Sequence, residues 1–214
     1  MLFRSMVILP IIITAVIAFI STNIDDIFVL MLFFSQTNNS FRRRHVIVGQ
    51  YLGFIALVVI SLLGYLGSYV IQKGFIGFLG FVPILIGIRK FGNSENESKF
   101  INDAISAQKS PSIFGILLHP KAFSVAAITF ANGGDNIGIY TPLFASLNLS
   151  GLIVTVITFL LLIMLWCLIG SRLARQKHVA LVLSRYGRFV VPIVLISLGI
   201  YIIIENGTPQ LFGF

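Results

Sequence analysis

The chain alternates long apolar runs with short polar stretches. The runs cover Val7–Phe34, Val46–Ile71, Phe75–Ile88, Ala122–Leu147, Leu152–Ile169 and Phe189–Ile204. A helix needs roughly 20 apolar residues to cross a bilayer, and most of these runs approach or exceed that length. A membrane barrel would instead show short segments in which polar and apolar residues alternate. The pattern therefore predicts an all-α integral membrane protein with six transmembrane helices.

The composition points to one transmembrane domain and excludes an ordinary soluble protein. Hydrophobic residues make up 57% of the 214 positions and charged residues only 10%, whereas roughly 25% of a soluble domain is charged. The polar stretch Phe91–Ser112 is too short for a second core. We expect a single domain over residues 1–214, with a first half at about 1–90, a cytoplasmic linker at 91–120 and a second half at about 121–214.

Basic residues predict the orientation in the membrane. Of the 15 Lys and Arg residues, all except Arg4 and Lys73 fall on one side of the predicted spans. Cytoplasmic loops carry such an excess, so the linker should lie inside and both chain termini outside, in a multi-pass protein of the plasma membrane. Because the positive charge of +8 is confined to loops, we expect lipid and no nucleic acid as its partner. His45, His119 and His178 lie at the basic ends, as interfacial residues or as a proton relay.

The two halves of the chain repeat each other. Pro192 follows Pro83 by 109 positions within similar apolar segments, and the same offset relates Asn132 to Asn23 and Asp135 to Asp26. Three spans in each half make the second half enter the membrane from the opposite face. This is the inverted repeat of many secondary transporters, whose binding site lies at the midplane between the halves. Pro83 and Pro192 are secondary site candidates, with a simple helix kink as the alternative.

The first span contains an acidic motif, Ser21-Thr22-Asn23-Ile24-Asp25-Asp26, inside apolar sequence. A carboxylate at that depth costs at least about 2.5 kcal/mol, so it indicates a cavity, a partner or an ion. In a regular helix Asn23 and Asp26 share a face, whereas Asp25 aligns with Ser21. The run is also overlong for a straight span, which predicts a bend or a break.

The fourth span contains a second motif, Asn132-Gly133-Gly134-Asp135-Asn136. Asn132 shares a helix face with Asp135 and Asn136. Two adjacent glycines weaken a helix by roughly 1 kcal/mol each and allow its backbone to unwind. A broken helix here would expose carbonyl oxygens as further ligands, which a buried site tolerates.

Together the motifs supply three carboxylates and three side-chain amides, with Thr22 and Ser21 nearby. These hard oxygen ligands suit a divalent cation, which would be the substrate rather than a cofactor. Protonation of one carboxylate as the metal leaves would couple transport to proton exchange. Structural hydrogen bonding between helices is the alternative role for the amides. A small organic cation or an amino acid is the alternative substrate, although an amino acid would need a group that binds its carboxylate.

Three segments carry a resemblance to a known family. Ser21–Leu30 (STNIDDIFVL), Phe130–Tyr140 (FANGGDNIGIY) and Leu198–Asn206 (LGIYIIIEN) resemble the cadmium resistance transporter family of the lysine exporter superfamily, over nearly the whole chain. The resemblance implies two inverted three-helix halves and export of divalent heavy metals, such as cadmium and zinc, from the cytoplasm. It also implies that the working residues lie on the first and fourth spans, which correspond here to Asn23, Asp25, Asp26, Asn132, Asp135 and Asn136.

Residues outside the motifs leave several points open. The one cysteine, Cys167, lies outside both motifs, and we expect Cys167 and Met164 to make lipid or packing contacts. The predicted oxygen ligands therefore suit manganese, magnesium or calcium as well as cadmium. Glu205, at the outer end of the last predicted span, lies at a solvated helix end or lines an exit path for the substrate. Gly134-Asp135 superficially resembles part of an intramembrane aspartyl protease, but Ile24 precedes Asp25 where a tyrosine is usual, so we do not expect an enzyme. Monomer and homodimer remain alternatives.

Overall fold

The computed structural model describes residues 2–70, 73–92, 120–175 and 177–208, and every regular element in these ranges is helical. The α-helices are α1 (Leu2–Asn23), α2 (Asp26–Ser35), α3 (Arg43–Gly67), α4 (Lys73–Ile76), α5 (Phe81–Gly92), α6 (Pro120–Asn132), α7 (Gly134–Ala145), α8 (Leu149–Leu173) and α9 (Lys177–Glu205). A short 3₁₀ helix, Gly77–Gly80, connects α4 to α5. The prediction of an all-α protein is confirmed.

Two helices are each long and apolar enough to cross a membrane by themselves. They are α3 and α8, with 25 residues each. The consecutive helices α1 and α2 add a third candidate span if they are counted together, with a bend of 61° between Ile8–Asn23 and Asp26–Ser35. The apolar segments Gly77–Arg89 and Val191–Glu205 are shorter than a span by this criterion. The arrangement of six spans therefore stays a prediction.

Several predicted boundaries differ from the helices of the structure. The helix α9 contains the sixth predicted span. It begins at Lys177 and not at Phe189, so it is longer than predicted. The apolar pattern missed this because backbone hydrogen bonding continues through polar residues that hydropathy does not mark. The third predicted span is divided into α4, the 3₁₀ turn and α5. Most of the linker, including His119, lies outside the described residues.

The two prolines of the repeat occupy different places in their helices. Pro83 is the third residue of α5, in the first turn, where a missing backbone N–H removes no helical hydrogen bond. Pro192 lies in the interior of α9, and the helix continues past it. Both side chains are buried. Neither proline therefore interrupts its helix.

Small residues bring α3 into close contact with α6 and α7. A methyl group on Gly49 would overlap Ala122 and Val125, and one on Gly53 would overlap Thr129. Small residues four positions apart allow membrane helices to approach in this way. On the other side of the protein, α8 packs against α1 and α2, where Gly170 lies against Leu30.

The contacts also define the relative directions of the helices. Along α3, Gly49 meets Val125 and Gly64 meets Thr141, so α3 runs in the same direction as α6 and α7. Along α8, Gly151 approaches Ile11 and Gly170 approaches Leu30, so α8 runs in the same direction as α1 and α2. Between α5 and α9 the order is reversed, because Gly80 meets Gly199 whereas Gly87 meets Pro192. These two helices are antiparallel.

A cluster of buried aromatic rings fills the space between the helix pairs. Phe19 on α1, Phe54 on α3, Tyr140 on α7 and Phe159 on α8 are each 0% exposed. The Tyr140 and Phe159 centroids are 4.5 Å apart, and those of Phe19 and Phe54 are 5.6 Å apart. Such ring pairs stabilise a core beyond the area that they bury. The cluster joins both parts of the chain into one core.

Lys121, at the start of α6, contacts the loop before α3 at one end of the helices. The Lys121 ammonium donates to the Ser40 hydroxyl at 2.7 Å and lies 6.0 Å from the centroid of the Phe41 ring. This contact places the start of α6 beside the loop that ends at Arg42, the residue before α3. We refer to this end of the bundle, marked by Ser40–Arg42 and Lys121, as the basic end.

Candidate functional site

Two helices are broken, as the sequence predicts, and their breaks occupy matching positions in the two halves. The first span divides into α1, which ends at Asn23, and α2, which begins at Asp26. The predicted fourth span divides into α6, which ends at Asn132, and α7, which begins at Gly134 with Asp135 in its first turn. Each break therefore follows an asparagine, and an aspartate lies in the first turn of the helix after the break.

The helix ends at these breaks favour a positive ion between them. The carboxyl end of a helix carries a partial negative charge, and both Asn23 and Asn132 lie at such an end. The amino end stabilises negative side chains, and Asp26 and Asp135 lie in the first turns of α2 and α7. Half-helix carboxyl ends coordinate cations in other transporters with broken helices.

A direct hydrogen bond joins the two breaks. The Asn132 side-chain amide donates to Asp26 Oδ1 at 2.6 Å, and Asp26 is only 3% exposed. Thr22, which precedes Asp26, contacts Tyr140, which follows Asn132. Because the order of the contacts is reversed, the predicted first and fourth spans cross in opposite directions at this point. The crossing brings together two of the residues that the sequence predicted for one site.

The orientation of the Asn23 amide is determined by its surroundings. Its Nδ2 donates to the Phe19 carbonyl at 2.8 Å, to Thr22 Oγ1 at 2.8 Å and to Tyr140 Oη at 2.7 Å. Asn23 is 0% exposed, and its Oδ1 has no hydrogen-bond partner among the described residues. The carbonyl at position 19 can only accept, so the nitrogen must face it and the oxygen must face away. Asn23 thus offers one buried oxygen in a defined direction.

Asn136 is a second source of uncommitted polar atoms. It is 1% exposed, and within the described ranges neither its Oδ1 nor its Nδ2 makes a hydrogen bond. A buried polar group without a partner costs about 1–3 kcal/mol, so such groups are retained where a ligand or water binds. Asn136 follows Asn132 by four residues, on the far side of the break.

Tyr140, which lies in neither acidic motif, is central to this region and was not predicted. Its hydroxyl accepts from Asn23 Nδ2 and lies 2.8 Å from Thr22 Oγ1, so it connects α7 to the end of α1. Both Asp26 and Asp135 are close enough to interact with it electrostatically. Its position four residues after Asn136 was the available signal, because residues four apart share a helix face.

Two further residues were also missed. Trp166 on α8 donates its indole N–H to the Asn23 carbonyl at 2.7 Å. Gln50 on α3 accepts from the Thr129 hydroxyl at 2.7 Å, and in the described part of the chain its buried Nε2 has no hydrogen-bond partner. Neither residue belongs to an acidic motif, so only the folded contacts identify them.

The remaining predicted residues lie at different distances from the crossing. Asp25 and Asp135 are partly buried beside the breaks, Gly133 is buried at one break, and Gly134 is exposed. Ser21 donates to the Ile17 carbonyl of its own helix at 2.7 Å. Glu205 is exposed at the end of α9, and the prolines lie on α5 and α9. The crossing is therefore formed by α1, α2, α6 and α7.

The structure also limits what the site can be in this conformation. Within the described residues, no three His, Cys, Asp or Glu side chains are grouped so that they could hold a metal ion. Cys167 is 1% exposed and belongs to the apolar core, whereas Met164 is 43% exposed on the outer face of α8. A cation at the crossing would therefore depend on amide oxygens in addition to carboxylates.

The chain matches the model of a known protein family. The family model described as "Cadmium resistance transporter" matches residues 19–213, which include both acidic motifs and both helix breaks. Neither the curated proteins nor the solved structures included a match to the chain.

Proposed function

Because the chain belongs to the cadmium resistance transporter family, we propose that it is a secondary transporter that exports a divalent metal cation from the cytoplasm in exchange for protons. The cation is the substrate and binds where the two broken helices cross. Its proposed ligands come from Asn23, Asp25, Asp26, Asn132, Asp135 and Asn136, with Thr22, Ser21 and the backbone at Gly133 and Gly134 nearby.

The observation that carries this proposal is the Asn132–Asp26 contact across the two breaks. It brings the buried Asp26 carboxylate, at the start of α2, together with the Asn132 amide, at the carboxyl end of α6. The Asn23 Oδ1, which has no hydrogen-bond partner among the described residues, lies at the end of α1, three residues before Asp26. Carboxylate and amide oxygens of this kind are hard ligands, which divalent cations bind at about 2.0–2.6 Å. Structural hydrogen bonding alone would not explain a buried oxygen without a donor.

Proton exchange follows from the charge of the site. A divalent cation neutralises two of the three carboxylates, and their charge is costly in an apolar span once the cation leaves. Two protons, one on Asp26 and one on Asp135, would compensate for the two positive charges that leave with the cation. When the metal returns, the Asn132 amide would release Asp26, and the carboxylate would turn its oxygens toward the ion.

The helix directions support the proposed inverted repeat. If six spans cross the membrane alternately, the first and fifth are parallel, and so are the second and fourth. The third and sixth are antiparallel. The contacts of α1 with α8, α3 with α6, and α5 with α9 follow this pattern. In addition, Tyr51 donates to the carbonyl of Leu160, its counterpart at the offset of 109, as expected where a pseudo-two-fold axis passes between helices.

Orientation in the plasma membrane is proposed from the charge distribution. The basic end, with Lys121 beside the loop that leads to Arg42, would face the cytoplasm under the positive-inside rule. Both termini would then be outside. The exposed apolar faces of α3 and α8, which include Val59, Leu63, Leu161 and Leu165, would contact lipid.

A transport assay tests both the substrate class and the coupling. Purified protein in vesicles is supplied with cadmium, zinc, manganese, magnesium, calcium or lysine, with and without a pH gradient. We expect at least one divalent cation to move, and an opposing proton gradient to increase its flux. Flux of lysine alone would support the amino-acid alternative. Failure of every divalent cation to move would overturn the proposal.

Tyr140→Phe should weaken cation binding without removing any proposed ligand. The change deletes the hydroxyl that orients the Asn23 amide, and we expect a loss of roughly 1–3 kcal/mol of stability together with a higher dissociation constant. Calorimetric titration with cadmium and chemical unfolding in detergent measure the two effects. Tyr51→Phe is the matched control, since its hydroxyl bonds the Leu160 carbonyl. Equal cadmium affinities for the two variants would contradict the role given to Tyr140.

A further inference from the structure

Trp166 contacts the backbone at the end of the first half-helix. Its side chain is 7% exposed, and its indole Nε1 donates to the Asn23 carbonyl at 2.7 Å. Its ring also packs edge-on against Phe19, with centroids 5.2 Å apart. Trp166 is the only tryptophan in the chain. It lies on α8 and belongs to neither acidic motif.

The carbonyl that Trp166 binds is one that the helix break deprives of its usual donor. The last carbonyls of any helix have no amide four residues ahead within the same helix. In an apolar environment each unsatisfied backbone group costs several kcal/mol, so a donor from another helix stabilises the break. An indole N–H suits this place because it can donate but not accept.

The corresponding position of the other half carries no such donor. Leu57 precedes Trp166 by 109 residues and packs against Gly133, at the break of the fourth span. Trp166 and Leu57 thus occupy equivalent positions. Trp166 contacts one break through a hydrogen bond, and Leu57 contacts the other break through an apolar side chain. The indole contact is a specific feature of the Asn23 break and is not a general requirement of the repeat.

We infer that Trp166 is a positioning residue of the proposed cation site, which acts by holding the backbone of Asn23. This inference rests on the proposed function. Trp166 binds the Asn23 carbonyl, while Phe19, Thr22 and Tyr140 bind its amide nitrogen, so only Oδ1 is left to meet an ion. Because one residue carries both the indole contact and the ligand oxygen, occupation of the site changes the environment of the indole.

Tryptophan fluorescence measures whether cation binding changes the environment of the Trp166 indole. Purified full-length protein is titrated with cadmium while the emission maximum is recorded and cadmium binding is measured by calorimetry. We expect the emission maximum to shift and to saturate at the calorimetric dissociation constant. Asp26→Asn should remove the shift. The wild-type titration requires no variant at position 166, so it stands even if such variants fold poorly.

Trp166→Phe tests the positioning role. The smaller phenyl ring keeps an aromatic side chain at this position but has no N–H donor. We expect the cadmium dissociation constant to rise about 10-fold, as is typical when a group that orients a metal ligand is removed. The apparent KM should rise more than the maximal rate falls. Ile163→Val is the control, because the Ile163 side chain is also buried, about one turn earlier on α8, and has no hydrogen-bond donor.

The outcomes separate this inference from the proposal on which it rests. Calorimetric binding of cadmium with an unchanged emission maximum, together with wild-type affinity in Trp166→Phe, would overturn the positioning role and leave the transporter proposal intact. Absence of calorimetric binding for cadmium, zinc and manganese alike would overturn both.

Discussion

Asp26→Asn is expected to lower divalent cation transport by about 100-fold or more. Loss of a group that merely orients a metal ligand costs 10- to 100-fold, and Asp26 is proposed as a ligand itself. The substitution removes a negative charge from the Asp26 side chain. Because that side chain is only 3% exposed, water cannot take the place of the lost carboxylate as a ligand. The substitution keeps the size of the side chain and an oxygen that can accept from the Asn132 amide, so the crossing of the helices should persist.

Vesicle flux of cadmium and calorimetric affinity measure this effect, and chemical unfolding checks the fold. We expect stability to be maintained, because the variant no longer buries a charge in an apolar span. Glu205→Gln makes the same chemical change at an exposed helix end and should transport as the wild type does. If Asp26→Asn retained cadmium flux within a few-fold of wild type, the site would have to lie elsewhere.

Gly133→Ala is expected to have the second largest effect, at the break of the fourth span. A methyl group there would overlap the Leu57 side chain, which is 0% exposed and has little room to move. Overpacking of a buried site typically costs 1–3 kcal/mol. Because the strain falls between Asn132 and Asp135, we expect transport to be nearly abolished even in protein that still folds.

The neighbouring glycine provides the matched control. A methyl group on Gly134 meets no other atom within 4 Å, so Gly134→Ala should retain most of its transport. Leu57→Ala in the Gly133→Ala background removes the overlap and should restore a substantial part of the flux. Equal defects in Gly133→Ala and Gly134→Ala, with no recovery in the double variant, would show that contact with Leu57 is not the reason for the glycine.

Both helix breaks were predictable because each depends on local sequence. Two adjacent glycines weaken the fourth span, and the excessive length of the first run indicated that it could not cross the membrane straight. The offset of 109 then related Asn23 to Asn132 and Asp26 to Asp135 before any contact was known. These residues could be proposed for one site because burying acids in apolar sequence is costly without an ion or a partner.

Other features could not be predicted, because they depend on residues that are distant in the sequence. The start of α9 at Lys177 was missed for a different reason, because it depends on local backbone hydrogen bonds that hydropathy does not detect. Gln50 appeared to be an isolated polar residue until α3 placed it against Thr129. The three acids appeared to form one ligand group, yet the described structure brings no three acidic, histidine or cysteine side chains together as a metal site.

The sequence by itself determined that apolar helices dominate this protein and that two of them carry buried acidic motifs, because hydrophobic patterning and the cost of buried charge are local properties. Only the tertiary structure decided which atoms meet. It paired Asn132 with Asp26, left Asn23 Oδ1 without a hydrogen-bond partner among the described residues, and placed Tyr140 and Trp166 around Asn23. The physical reason is that these contacts require helices separated by more than 100 residues to pack at particular positions, and that packing is specified jointly by side chains on both helices.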